Sequence, residues 1–325
     1  MGSDLSRLHH VGHVVEDLPS ALALYRRLGF TLPPPAVPVM ARTAGDEPQP
    51  FGAANTHADF STGFIELATR VREGSPIPSG ARFVPIQAPD NVLRELVGKV
   101  ETTSANLAAC LERFEGMHIL MFSSPDIESA ATRLTAAGIA HGGVNTVRRP
   151  VDTERGRITE IVRYVEFDGE QGTRPGAVAE GRVGIAGDLD PEIQGARCAE
   201  HPNGAFALLD VLLCVEDDVL RSTVKRYQTY LDRQPHEYGG KAVFELEGSS
   251  LSVVAASRLG TLLPGESPPA LPALVSCTVA VRELGVTGDL LRDNGIPVHR
   301  SGEGDIFVPA SAAFGTAMAF REVSP

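Results

Sequence analysis

Apolar and polar positions change period sharply within the first thirty residues. An apolar run, His9-His10-Val11-Gly12-His13-Val14-Val15, ends in the acidic turn Glu16-Asp17. Ala21, Leu22, Leu24, Tyr25 and Leu28 then recur at helical spacing, and Gly29-Phe30 marks the stop. The same strand-then-helix opening returns three times. It runs from Met117 through Pro125-Asp126 to Gly138-Ile139, from Leu209 through Glu216-Asp217, and from Val275 through Glu283-Leu284 to Gly295-Ile296. Openings near residues 9, 117, 209 and 275 predict four copies of one small unit.

Each copy reads strand, helix, then strands. In the first copy Thr56 to Phe60 and Gly63 to Ala68 alternate as strands, and a Pro-punctuated linker over 75–89 precedes a helix over 91–113. In the second copy strands are expected near 143–149, 157–167 and 183–186, with a loop from Gly172 to Gly181 and a connector over 188–203. Copies three and four occupy about 205–256 and 273–321. One strand–helix–strands unit cannot bury its own sheet, so the units are expected to pair. The prediction is an α+β fold in which paired βαβββ units form two curved mixed-sheet cups, one in residues 1–200 and one in residues 201–325.

Length and composition narrow the function classes. A chain of 325 residues is long enough for two cores. A net charge of −12 repels nucleic acid. No apolar run approaches the roughly 20 residues of a membrane span. The start, Met1-Gly2-Ser3-Asp4, lacks a signal pattern, and Cys110, Cys198, Cys214 and Cys277 form no Cys-x-x-Cys pair. The expectation is a cytoplasmic protein whose partner is a small-molecule substrate, with neither nucleic acid nor membrane as partner, and with a homodimer as its possible assembly.

The pattern His-Val-Gly-x-Val-Val-x-Asp-Leu, with the following helix, Gly63-Phe64-Ile65-Glu66-Leu67 and Gly116-Met117-His118-Ile119, resembles the vicinal oxygen chelate superfamily. That superfamily includes glyoxalases, epimerases, extradiol dioxygenases and bleomycin-resistance proteins. The run His201-Pro202-Asn203-Gly204-Ala205 resembles a motif of its larger, four-unit, glyoxalase-like members. The resemblance implies metal ligands on the first and last strands of each unit, which fall on His10, Glu66 and His118. Alternation places His10, Gly12 and Val14 on one face and His9, Val11, His13 and Val15 on the other. Glu66 lies in an apolar strand, where a carboxylate is costly unless paired or metal-bound. Two imidazoles and one carboxylate suit a divalent ion such as Fe, Zn, Ni, Mn or Co. The last strand of the second copy, Gly184-Ile185-Ala186-Gly187, holds no ligand; three protein ligands are expected, with Asp188 or Glu166 as a possible fourth.

His57 and Tyr164 are the candidate catalytic residues, one for proton transfer and one for orienting an oxyanion. Arg163 is a weaker candidate for an acidic substrate, His13 and His201 read as structural, and Arg226 reads as solvated. Asp210 and Ser276 stand where the first two copies have histidines, so the second pair reads as degenerate and metal-free. The function implied is a metal-dependent isomerase, epimerase or lyase that works through a stabilised enolate. Two alternatives remain. One is an extradiol-type Fe(II) dioxygenase, although those enzymes take the acid from the final strand. The other is a metal-free resistance protein that sequesters its ligand.

Overall fold

The computed structural model describes residues 4–41, 43, 45–71, 77–86, 90–153, 156–169 and 174–324. Met1-Gly2-Ser3, part of the 75–89 linker and the start of the 172–181 loop lie outside the described residues.

The first unit consists of β1 (Leu8–Val14), α1 (Leu18–Arg27), β2 (Ala36–Met40), β3 (Gln49–Pro50), β4 (Gly52–Asp59), β5 (Phe64–Val71) and β6 (Arg82–Pro85). The long helix α2 (Asp90–Arg113) leads to β7 (Gly116–Ser124), α3 (Ile127–Ala136), β8 (Asn145–Thr153), β9 (Gly156–Glu166), β10 (Arg182–Gly187) and α4 (Pro191–Arg197). The third unit holds β11 (Ala205–Val215), α5 (Leu220–Leu231), β12 (His236–Tyr238), β13 (Lys241–Glu245), β14 (Ser250–Ala255) and α6 (Ala256–Leu262). The fourth holds β15 (Ala273–Val281), α7 (Leu284–Asp293), β16 (His299–Arg300), β17 (Ile306–Val308) and β18 (Ala317–Glu322).

Local chemistry explains the repeat. Asp17 caps α1 by accepting from the Ser20 amide, and Asp126 caps α3 by accepting from the Ser129 amide. Leu18, Ala21, Leu22 and Tyr25 then face the core from α1. Gly29 ends the turn at φ 84°, where a side chain is strained, and a Cβ there would lie 2.8 Å from Cβ of Asn203. The end of the first helix is thus fitted against the start of the third unit.

Both pairs have the same sheet order. In the first, β5 lies parallel to β1, β1 antiparallel to β7, and β7 parallel to β10. In the second, β14, β11, β15 and β18 repeat that arrangement. A bridge between Leu274 and Met117 joins the halves into one mixed sheet, of 18 strands among the described residues. The expected α+β architecture of paired units is the one observed.

Several short pieces escaped the sequence pattern, among them β2, β6, α4 and α6, because edge strands and seven-residue helices carry too little periodicity. The core does not divide at residue 200. One buried cluster runs from Leu5, Leu22 and Phe60 to Leu213, Tyr227 and Phe320.

A second glycine locks the halves. Gly315 has φ 83°, and a Cβ there would come within 1.9 Å of the Glu115 carbonyl oxygen. Gly315→Ala should therefore lower stability by about 2–3 kcal/mol, because backbone must move and the conformation is strained. Urea unfolding of the variant checks this, and an unchanged midpoint would refute it.

Candidate functional site

The concave side of the first pair encloses a cavity of about 440 Å³, the size of a small-molecule site. On β5, alternation sends Phe64 and Glu66 to the cup, while Ile65 and Leu67 are fully buried on the other side. β4 lies beside it in a register that sets His57 opposite Glu66 and Asn55 opposite Ala68. β1 flanks the other side, with His10 opposite Phe64. The β1–β7 pairing shifts between Leu8 and His10, so His9 also reaches the cavity wall.

These residues form a chain of polar contacts. His9 Nδ1 and His10 Nδ1 are hydrogen-bonded at 2.7 Å. His10 Nε2 stands 4.0 Å from Oε2 of Glu66, and His57 Nε2 stands 4.0 Å from Oε1. Asn55 Nδ2 donates to Oε1 at 2.7 Å and holds the carboxylate. Phe64, on the strand between the histidines, stacks on the His10 ring and packs at a tilt against the His57 ring, both at centroid distances of 4.5 Å. Of the residues expected at the site, His10, Glu66, His57, Tyr164 and Asp188 all line this one cavity.

His118 does not. It is fully buried on the opposite face of β7, while its neighbours Ile119 and Met121 line the cup. Its Nε2 donates to the Phe114 carbonyl at 2.9 Å. The helix caps show why. Asp17 and Asp126 are equivalent N-caps, and the same offset carries His9 onto His118 and His10 onto Ile119. A one-residue slip in a strand exchanges its faces. The assignment of His118 as a ligand is corrected accordingly: it is a core residue.

Glu166 is also occupied elsewhere. Arg182, at the start of β10, donates to Oε1 of Glu166 through Nε at 2.8 Å and also through Nη2. Asp188 accepts from Ser6 Oγ at 3.2 Å at the cavity's far wall. Arg182 was missed in the sequence, although Arg182, Gly184 and Ala186 alternate onto the cup face just as Glu66 does. It lines the cavity, and its Nη1 makes no hydrogen bond among the described residues. Burial opposes its charge, but Glu166, Glu66 and Tyr164 outweigh this and raise its pKa. Tyr164 is pushed up by burial and by Glu166, so its phenol stays protonated at neutral pH.

The expected divalent ion does not find a ready site. Ligands of one ion, each about 2.1 Å from it, lie about 3.0–3.4 Å from one another. Both imidazoles stop at 4.0 Å from Glu66. Among the described residues, no group of three or more His, Cys, Asp and Glu side chains is placed to hold a metal. The positions equivalent to His10 and Glu66 in the second unit are Ile119 and Gly184, and Arg182 brings a fixed positive charge into the same cup. The residues as arranged do not fit a metal centre.

Other candidates resolve as structural. His13 bonds Tyr25 Oη at 2.9 Å and the Phe314 carbonyl at 2.7 Å. His201 bonds the Thr31 amide and the Asp59 carbonyl, 170 and 142 residues away, rather than a local turn. Arg163 is paired with Glu128 outside the cavity. Arg226, expected in solvent, bonds the fully buried Glu180. All four cysteines are free. Among the described residues, no helix is long and apolar enough to cross a membrane.

Comparison with known proteins agrees with this architecture. A family profile described as a glyoxalase-like domain matches residues 8–231. No curated protein matches. Among solved structures, a hypothetical protein from Staphylococcus aureus aligns over 98% of this chain and 99% of its own, at 10% identity and a TM-score of 0.55. A mutant 4-hydroxymandelate synthase from Streptomyces coelicolor aligns over 98% of this chain and 92% of its own, at 15% identity and a TM-score of 0.54. At such identities the likeness establishes the fold and not the reaction. With the profile covering most of the chain, and with the paired units in place, this protein belongs to the glyoxalase-like domain family.

Proposed function

We propose that the first cup is the active site of an isomerase, epimerase or lyase that acts on a small, oxygenated, anionic substrate. The observation that carries this reading is the convergence of His10 and His57 on separate oxygens of Glu66, in a cavity shared with Arg182. Glu66, held by Asn55, is the base that takes a proton from carbon adjacent to a carbonyl. The flanking imidazoles, each 4.0 Å from the carboxylate, return the proton. Arg182 Nη1 and the Tyr164 hydroxyl supply donors for the enolate oxygen, where preorganised charge is worth most. Their positive and neutral donors favour a substrate carboxylate or oxyanion. Glu166 holds Arg182 in place and does not touch the substrate.

The test is proton exchange. A panel of small 2-oxo and 2-hydroxy acids is incubated with the protein in D₂O and followed by proton NMR. Loss of the α-proton signal is expected for at least one acid. Glu66→Gln should slow that loss by at least about 100-fold, the usual contribution of general base catalysis. Chelator treatment should leave the rate unchanged. Exchange that stops on chelation and returns with one added divalent ion would replace this reading with a metal-dependent one. Saturable binding without any exchange would leave the sequestering reading in its place.

A further inference from the structure

The second pair has a cup of its own, and nothing in the reaction assigned to the first cup uses it. Its cavity measures about 410 Å³ and is lined almost wholly by polar side chains. Strand register shows how the repeat places them. Asp210 lies opposite Ser250 on β14, as His10 lies opposite Phe64 on β5. Ser252, opposite Leu212, takes the place that Glu66 has opposite Gly12. The same two positions of the fold thus face the second cavity with a carboxylate and a hydroxyl.

Asp210 is 9% exposed. Its Oδ1 accepts from Ser250 Oγ at 2.6 Å and from Ser252 Oγ at 3.0 Å, and its Oδ2 has no hydrogen-bond partner among the described residues. The cations nearby are committed elsewhere. Lys241, 7% exposed, pairs with Glu303 at 2.8 Å. Arg321 pairs with Asp305 at 2.7 Å and reaches Glu303 at 3.3 Å. At the rim, His236 stands 3.8 Å from Glu245. Three carboxylates (Asp210, Glu245 and Glu303) therefore face Lys241 and Arg321 across the cavity wall, with Asp305 behind them.

A buried carboxylate without an ion-pair partner is expensive to keep. Burial raises Asp210 to about 6, and the hydroxyls of Ser250 and Ser252, with Lys241 and Arg321, only partly oppose it. A chain that needed only a packed sheet face would place an apolar residue there, as it does at Leu212 and Val243 nearby.

We propose that the second cup is a binding site for a small polyhydroxylated amine, whose ammonium group pairs with Asp210 Oδ2. The Lys241–Glu303–Arg321 row offers alternating donors and acceptors to the ligand's hydroxyl groups. The excess of carboxylates excludes acids. Size admits one sugar-sized molecule. This assignment stands apart from the chemistry of the first cup and involves none of its residues.

Isothermal titration calorimetry of the full chain tests it, with D-glucosamine and tris(hydroxymethyl)aminomethane as amine probes, and D-glucose and D-gluconate as neutral and acidic controls. Saturable one-to-one binding of an amine probe is expected. Glucose should bind at least about tenfold more weakly, a difference of about 1.4 kcal/mol, and gluconate should not bind. Asp210→Asn should weaken amine binding by at least about tenfold, and Ser252→Ala by several-fold, with circular dichroism spectra unchanged. The probe comparison uses the native chain and so survives any folding defect in a variant. Absence of saturable amine binding, a preference for glucose or gluconate, or undiminished binding by a folded Asp210→Asn protein would overturn the proposal.

Discussion

Acidification from pH 7 to pH 4 should strip the fold of stability mainly through His13 and His118, and His118→Leu should retain about 3 kcal/mol that the native chain loses. Both imidazoles are held near a pKa of about 4, chiefly by burial, against about 6.5 when the chain is unfolded. A depressed folded pKa gives stability that is fully present above 6.5 and disappears as pH falls through about 4. Each shift of about 2.5 units corresponds to about 3 kcal/mol. The hydrogen bonds give the structural reason. Each Nε2 donates to a carbonyl, so in His13 the Nδ1 must accept from the Tyr25 hydroxyl. A proton on that nitrogen would place a charge in the core, where burial disfavours it.

Asp210 acts in the opposite sense, because its folded pKa is raised to about 6. Its contribution is complete below the unfolded value of 3.8 and is lost as pH rises through about 6. Asp210→Asn should therefore steepen the acid loss. Urea unfolding of the native chain and both variants at pH 7 and pH 4 measures all three effects. Parallel losses in the native chain and His118→Leu would refute the assignment.

The second large effect is expected at Glu180. This carboxylate is fully buried, accepts from Tyr227 Oη at 2.6 Å and from Arg226 Nη2 at 3.0 Å, and joins the loop before β10 to α5. Arg226 in turn lies over the rings of Tyr227 and Tyr230. Glu180→Ala leaves a guanidinium and a phenol without an acceptor between the two halves. The expected loss is about 3–5 kcal/mol by urea unfolding, the range for breaking a buried pair by removing one partner. The double replacement Glu180→Leu with Arg226→Leu should recover most of it, because no lone charge remains. If Glu180→Ala lost less than the double variant, the pair would be shown to contribute little.

Much of the fold was legible because strand, cap and helix recur as a unit. Asp17 and Asp126 punctuate the sequence where they cap the helices, and Gly29 and Gly138 stop them. His10, Glu66 and His57 could also be placed on one cup, since alternation along β1, β4 and β5 is local information. Glu66, a carboxylate flanked by Ile65 and Leu67 in an apolar stretch, announced itself through the penalty of burying it.

The face of His118 was settled only by strand register. Its sequence neighbourhood, an apolar run with one histidine, is compatible with either side of the sheet, and a bulge at His9 blurs the count from the first unit to the second. Arg182 and Glu166 are 16 residues apart in the chain and meet only because β9 and β10 pair. The bond between Glu180 and Arg226 likewise spans two units. The contents of the second cup, Asp210 among Ser252, Lys241 and Arg321, come together from four strands. Periodicity along the chain therefore determined the repeat, the helix ends and which residues of one strand share a face. Which faces meet, and which charges find each other there, depended on pairing between distant strands, and no local pattern encodes that.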